Sequence, residues 1–160
     1  MLFSPRGHAL LALQGVFMYG VSYLCVYHAE RHVVSGLVAV GYSASPLVAG
    51  LGGQARFGPH VSRRFVMGGL VGIAGVALMF WPEFGKAAGS QDATLGLAFT
   101  VGAVLLSSVG SLIATRNRTH GLPFWPSLGY GMLCGAAACT LVALLHGQRC
   151  ALPAALSWWL

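Results

Sequence analysis

Five long apolar runs, each broken off by a short polar or basic stretch, make up most of the chain. They cover Ala9–Tyr27, Ser35–Ala55, Phe65–Pro82, Thr94–Thr115 and Ser127–Leu145, and none holds an Asp, Glu, Lys or Arg. At about 1.5 Å of rise per residue, a helix over each is long enough to cross roughly 30 Å of hydrocarbon. The runs do not alternate apolar and polar residues, as strands of an outer-membrane barrel would, so helices are the spanning solution left. The pattern predicts an all-α polytopic membrane bundle of about five transmembrane helices.

The connectors carry the polarity. Glu30-Arg31-His32 closes the first run, and the second and third are joined by QARFGPHVSRR, which holds Arg56, Arg63 and Arg64 and no acid. Phe84–Ala93 is a polar link containing Gly and Ser, and Arg116-Asn117-Arg118 followed by Pro123 closes the fourth run. Trp81, Trp125, Trp158 and Trp159 fall at run boundaries, where amphipathic rings favour the membrane interface. With five crossings, the side of the N-terminus carries Arg6, Arg56, Arg63, Arg64, Arg116 and Arg118. The other side carries Arg31, Lys86 and Arg149 together with the acids Glu30, Glu83 and Asp92. Six basic residues against three predict a cytoplasmic N-terminus.

Composition agrees with the pattern. Of 160 residues, 56% are hydrophobic and 8% charged, against about 25% charged in ordinary soluble domains. The mean hydropathy is +0.74. The net charge of +6 comes from arginines placed singly or in pairs between apolar runs, which argues for topology charges and against a nucleic-acid surface. Cys25, Cys134, Cys139 and Cys150 lack metal-type spacing and read as small apolar side chains, with neither a disulfide framework nor a metal or other cofactor site expected. The first run is span-length with no small-residue cleavage site after it, so a cleavable signal peptide is not expected.

Several residues inside the runs are candidates for chemistry. Pro46 lies midway along the second run, where it removes a backbone donor and clashes with the preceding turn. The freed Tyr42 carbonyl either faces a water-filled or substrate-lined cavity, as in broken transporter helices, or is satisfied by a neighbouring helix or the hydroxyl of Ser43 or Ser45. Tyr19, Tyr23 and Tyr27 recur every four residues and so share a helical face. That stripe either lines a polar path or packs with its hydroxyls paired, Tyr23 being the leading candidate for ligand contact. Ser107, Ser108 and Ser111 either offer hydroxyls to a substrate or return them to the carbonyls of their own helix. Gly68, Gly72 and Gly75, like Gly131 and Gly135, have the small-residue spacing that lets helices pack closely in lipid.

Enzymatic chemistry finds less support. Gly41-Tyr42-Ser43-Ala44 lacks the second glycine of an intramembrane serine protease motif. The histidines at 8, 28, 32, 60, 120 and 146 lie near run ends, so the sequence offers no mid-helix base for a serine and no paired haem ligands. The runs also lack an Asp, Glu or Lys as a deep proton carrier. No enzyme activity is expected.

The order of features resembles the EamA-type permeases of the drug/metabolite transporter superfamily. An aromatic-rich helix (Tyr19, Tyr23, Tyr27) precedes Ser35-Gly36-Leu37-Val38-Ala39 and Ser45-Pro46-Leu47; the basic turn and the Gly68/Gly72/Gly75 helix ending Val76-Ala77-Leu78-Met79-Phe80 follow. A less basic link then leads to a helix ending Gly110-Ser111-Leu112-Ile113-Ala114-Thr115-Arg116. The chain departs from the family at Gly52-Gly53-Gln54-Ala55-Arg56, where an acidic residue usually follows the fourth span. The resemblance implies a ten-helix fold of two inverted repeats, with this chain covering about the third to seventh spans. Residues 1–83 would close the first repeat, 84–93 would link the repeats and 94–160 would open the second. It further implies a secondary transporter of small metabolites or drugs in the bacterial cytoplasmic membrane, working by alternating access and incapable of transport without the missing spans. The lipid bilayer, a small-molecule substrate and a missing transporter half or a second copy are the expected partners. The other expectation is a membrane assembly or scaffold subunit without transport activity.

Overall fold

The computed structural model describes residues 5–58, 61–82 and 91–147. Among them there are helices, turns and short connections, and no strand. The first span is continuous from α1 (Pro5–Gly15) through a π-helical stretch (Val16–Val21) into α2 (Ser22–Glu30). The second is split into α3 (Ser35–Tyr42) and α4 (Ser45–Phe57). There follow α5 (Arg63–Met79), α6 (Gln91–Thr119) and α7 (Phe124–Leu145). Among the described residues, four stretches are long and apolar enough to cross a membrane: Gly7–Glu30, Ser35–Arg56, Gln91–Thr119 and Phe124–Leu145. The fold is an all-α membrane helix bundle.

At 17 residues, or about 25 Å, α5 is at the short end of spanning length. Its course is nevertheless fixed by its neighbours. Phe65 lies against Gly50, Leu47 against Gly69, and Phe80 against Gly36, so α5 runs antiparallel along the whole second span. The same reasoning orients the others. Gln14 meets Asn117, Met18 meets Gly110 and Ser22 meets Ala103, which makes α6 antiparallel to the first span. Gly15 lies against Gly131 and Gly20 against Ala138, which makes α7 parallel to it. Five helices alternating in direction are the result.

The ends have local causes. Gly58 closes α4 in the left-handed conformation (φ 82°), its amide donating to the Gln54 carbonyl at 3.0 Å. The Gln54 side chain accepts from the Val61 amide at 3.3 Å, and Ser62 caps α5 by accepting from the Phe65 amide. Gln54 thus supplies a polar contact within the turn. Gly121 (φ 80°) ends α6, with the Leu122 amide returning to the Asn117 carbonyl at 3.2 Å, and Pro123 leads into α7. The helix starting at Gln91 absorbs the last three residues of the expected inter-repeat link. The rest of that link, and Arg149, Cys150, Trp158 and Trp159, lie outside the described residues.

The core is centred on α6. Gly96, Thr100, Ala103, Val104, Ser107, Ser108, Gly110 and Asn117 are buried, a stripe of mostly small residues recurring every three to four positions. Small side chains bring the first and second spans close to one helix. By contrast α5 has no buried residue. Large apolar side chains such as Leu97, Leu133, Leu145, Met79 and Trp125 cover the outside, where lipid is their natural surrounding.

Candidate functional site

Halfway along the bundle, hydroxyls from three spans meet. Ser22 donates to the Ala103 carbonyl at 3.0 Å and lies 3.3 Å from the Tyr42 hydroxyl. Tyr42 donates to Ser107 Oγ at 3.1 Å, and Ser45 donates to the same oxygen at 3.4 Å. Ser108 donates to the Val104 carbonyl at 2.7 Å and approaches the Ser45 carbonyl at 3.4 Å. Each hydroxyl has one proton and two lone pairs, and in this buried cluster Ser107 Oγ accepts from both Tyr42 and Ser45 while the oxygens of Ser45 and Ser108 keep acceptor capacity.

The cluster sits against the break in the second span. Ser43 and Ala44 form a turn between α3 and α4, and Pro46, in the first turn of α4, has no N–H to return to the Tyr42 carbonyl. Amides of Ser43 and Ala44 bond to the carbonyls of Ala39 and Gly41, which completes α3 locally. Tyr42 and Ser45, three positions apart and so on one face of the span, both reach Ser107.

Of the residues singled out in the sequence, the fold brings together Tyr42, Ser45, Ser107 and Ser108. The others stand apart. Tyr23 is 54% exposed, because it lies one position, about 100° of helix rotation, from buried Ser22. Tyr19 is half-buried against α7, with its Cβ beside Gly135. The Ser43 hydroxyl returns to the Val40 carbonyl at 2.6 Å. Pro46 is exposed along a groove of about 420 Å³ between α4 and α5, and Ser111 is half-buried.

The two glycine sets also separate. Gly131 and Gly135 pack as expected: a Cβ on Gly135 would lie 2.6 Å from the Tyr19 Cβ and 2.9 Å from the Gly15 carbonyl oxygen. The expectation for Gly68, Gly72 and Gly75 is corrected within this chain. A Cβ on any of them would meet nothing within 4 Å, and the α5 glycine that touches a neighbour is Gly69, against Leu47. One position again decides, since only one edge of α5 faces the second span.

Some polar residues went unnoticed in the sequence. Ser22 was overshadowed by the tyrosine stripe. Gln14 and Asn117, 3% and 1% exposed, form a buried amide pair, Asn117 Nδ2 donating to Gln14 Oε1 at 2.9 Å. Asn117 Oδ1 is buried without a partner. The available signals were Gln14 as an amide within the first apolar run and Asn117 lying two helical turns beyond Gly110, on its face. Flanked by Arg116 and Arg118, Asn117 reads instead as part of a solvated end.

No family model, curated protein or solved structure matches this chain.

Proposed function

We propose that this chain is part of a secondary transporter of small molecules, of the kind the EamA-type permeases represent, in the bacterial cytoplasmic membrane. The observation that carries this reading is the break in the second span at the level where Ser22, Tyr42, Ser45 and Ser107 meet. Broken helices at mid-membrane mark sites where backbone and hydroxyl groups are reserved for a ligand. The order of sequence features that resembles those permeases supports it independently. On this reading the cluster's spare acceptors bind the N–H or O–H groups of a metabolite or drug, and the two halves of a complete transporter rock about it.

The test is a ligand panel. A transported compound is expected to raise the melting temperature of the detergent-solubilised protein. It is also expected to slow alkylation of Ser45→Cys in a background lacking native cysteines. A metabolite and dye panel that does neither, with another membrane protein co-purifying in fixed ratio, overturns it. That outcome favours the second reading, a scaffold subunit, for which the open Gly68/Gly72/Gly75 edge is the motivating observation. Orientation is tested separately: with the N-terminus cytoplasmic, Ser62→Cys should react with an impermeant thiol reagent only from inside and Gln91→Cys only from outside. Equal labelling from outside reverses the assignment.

A further inference from the structure

A second feature, independent of transport, lies at the Glu30 end of the bundle. A cavity of about 390 Å³ opens there between α2 and α7. Glycine contacts hold the first and last spans together as far as Gly20 and Ala138. Beyond that level, side chains of α2 and α7 line the cavity from its two sides. Leu24 and Ala143 line the part deeper in the bundle, and Tyr27, His28, Arg31 and His146, nearer the helix ends, line the rest.

Among the described residues, the lining carries a guanidinium, two imidazoles and a phenol hydroxyl, and no carboxylate. His28 is held in one orientation. Its Nδ1 lies 2.8 Å from the Leu24 carbonyl, which can only accept, so Nδ1 bears the proton and Nε2 is left for another partner. The ring is wedged between Tyr27 and Phe99, with centroids 5.7 and 5.6 Å away. At the two helix C-termini, the carbonyls of His28, Ala29, Val142 and Leu144 are taken by following amides. The amides of Arg31, His32 and Val33 cap α2, and those of His146 and Gly147 cap α7. Of the nearby acids, Asp92 is engaged by His32 at 3.4 Å, and exposed Glu30 is not part of the lining.

We infer that this cavity holds an anionic phospholipid, its phosphate against Arg31 with Tyr27, His28 and His146 around it, and an acyl chain along Leu24 and Ala143. A guanidinium with imidazole and phenol groups beside it at a helix end, above an apolar wall, matches the amphipathic profile of a lipid, the charge staying at headgroup depth while the wall meets hydrocarbon. A free inorganic anion would use the rim and leave the apolar wall without a role.

The experiment titrates the detergent-purified chain with phosphatidylglycerol or phosphatidylcholine and reads retained lipid by native mass spectrometry. One phosphatidylglycerol is expected to be held in preference to phosphatidylcholine. Arg31→Gln should weaken it about tenfold, as loss of a charge-assisted contact does. Ala143→Trp, which fills the wall without touching the charge, should weaken it as much. His146→Gln should have a smaller effect in the same direction. Melting curves without added lipid establish that each variant is folded, and Ala143→Trp decides if Arg31→Gln is not. Equal retention of the two lipids, or parent-like retention by a folded Arg31→Gln or Ala143→Trp, overturns the proposal. Displacement of the lipid by millimolar inorganic phosphate also overturns it, in favour of a small free anion.

Discussion

Gly131 and Gly135 of the last span and Gly68 and Gly72 of α5 share a four-residue spacing and have opposite surroundings. Gly15, Gly20, Gly131 and Gly135 bring two parallel helices together until backbone meets backbone, while Gly68, Gly72 and Gly75 face open space. A small-residue stripe therefore permits close approach without naming a partner. In lipid there is no hydrophobic force to press helices together, so a stripe is used only where a complementary surface is within reach. The first span has such surfaces on two sides, Gly110 of α6 and the glycines of α7. Of the α5 glycines, Gly69 is the one that meets a neighbouring span among the described residues.

The largest effect is expected at Gly15. A Cβ there would run into the Gly131 carbonyl, so Gly15→Leu must force the first and last spans apart. The expected loss is about 3 kcal/mol or more, the upper end for overpacking, read as a lowered melting temperature in detergent and altered migration in gel filtration. Parent-like behaviour would break the comparison at its strong end.

Next comes the buried amide pair that joins the first span to α6. Asn117→Ala strands Gln14 without its partner and should cost about 2 kcal/mol. Adding Gln14→Leu to Asn117→Leu should recover most of that loss, since two apolar groups leave nothing unpaired. A double variant as unstable as the sum of the singles would mean that the pair is not one unit.

Tyr42→Phe removes the hydroxyl shared by Ser22 and Ser107, and should cost about 1 kcal/mol, in line with hydrogen bonds between helices in lipid. A loss as large as that of Gly15→Leu would make the hydroxyl cluster the principal fastener of the bundle.

The smallest effect is expected at Gly72. With nothing within 4 Å, Gly72→Leu should change stability by less than about 0.5 kcal/mol. A destabilisation comparable to Gly15→Leu, accompanied by dissociation of a larger particle, would show that α5 is covered by a second molecule, and the contrast between the two stripes would vanish.

The helices themselves were legible in the sequence because spanning is a local requirement: enough apolar residues in a row and no charge among them. The interruption of the second span was legible for the same reason, since Pro46 removes a bond within its own helix whatever lies around it. Gly58 and Gly121, too, follow from backbone conformations that neighbouring residues impose. The α5 helix was expected from its composition as well, although it falls short of the four stretches that are long and apolar enough to cross a membrane.

What the sequence could not supply was rotational phase and partnership. Tyr23 carries the more conspicuous chemistry, yet Ser22 is the residue turned inward. Gly72 belongs to the more obvious stripe, yet Gly69 makes the contact. Asn117 sits between two arginines, yet it is buried. Each outcome was decided by which face of a helix another helix covers, a contact between residues from 22 to more than a hundred positions apart. The sequence by itself determined the number of apolar helices, their approximate limits and the place where one of them breaks. Only the tertiary structure decided which small and polar side chains meet, because burial in a bundle is a property of helix pairs, and a single helix in lipid has no inside.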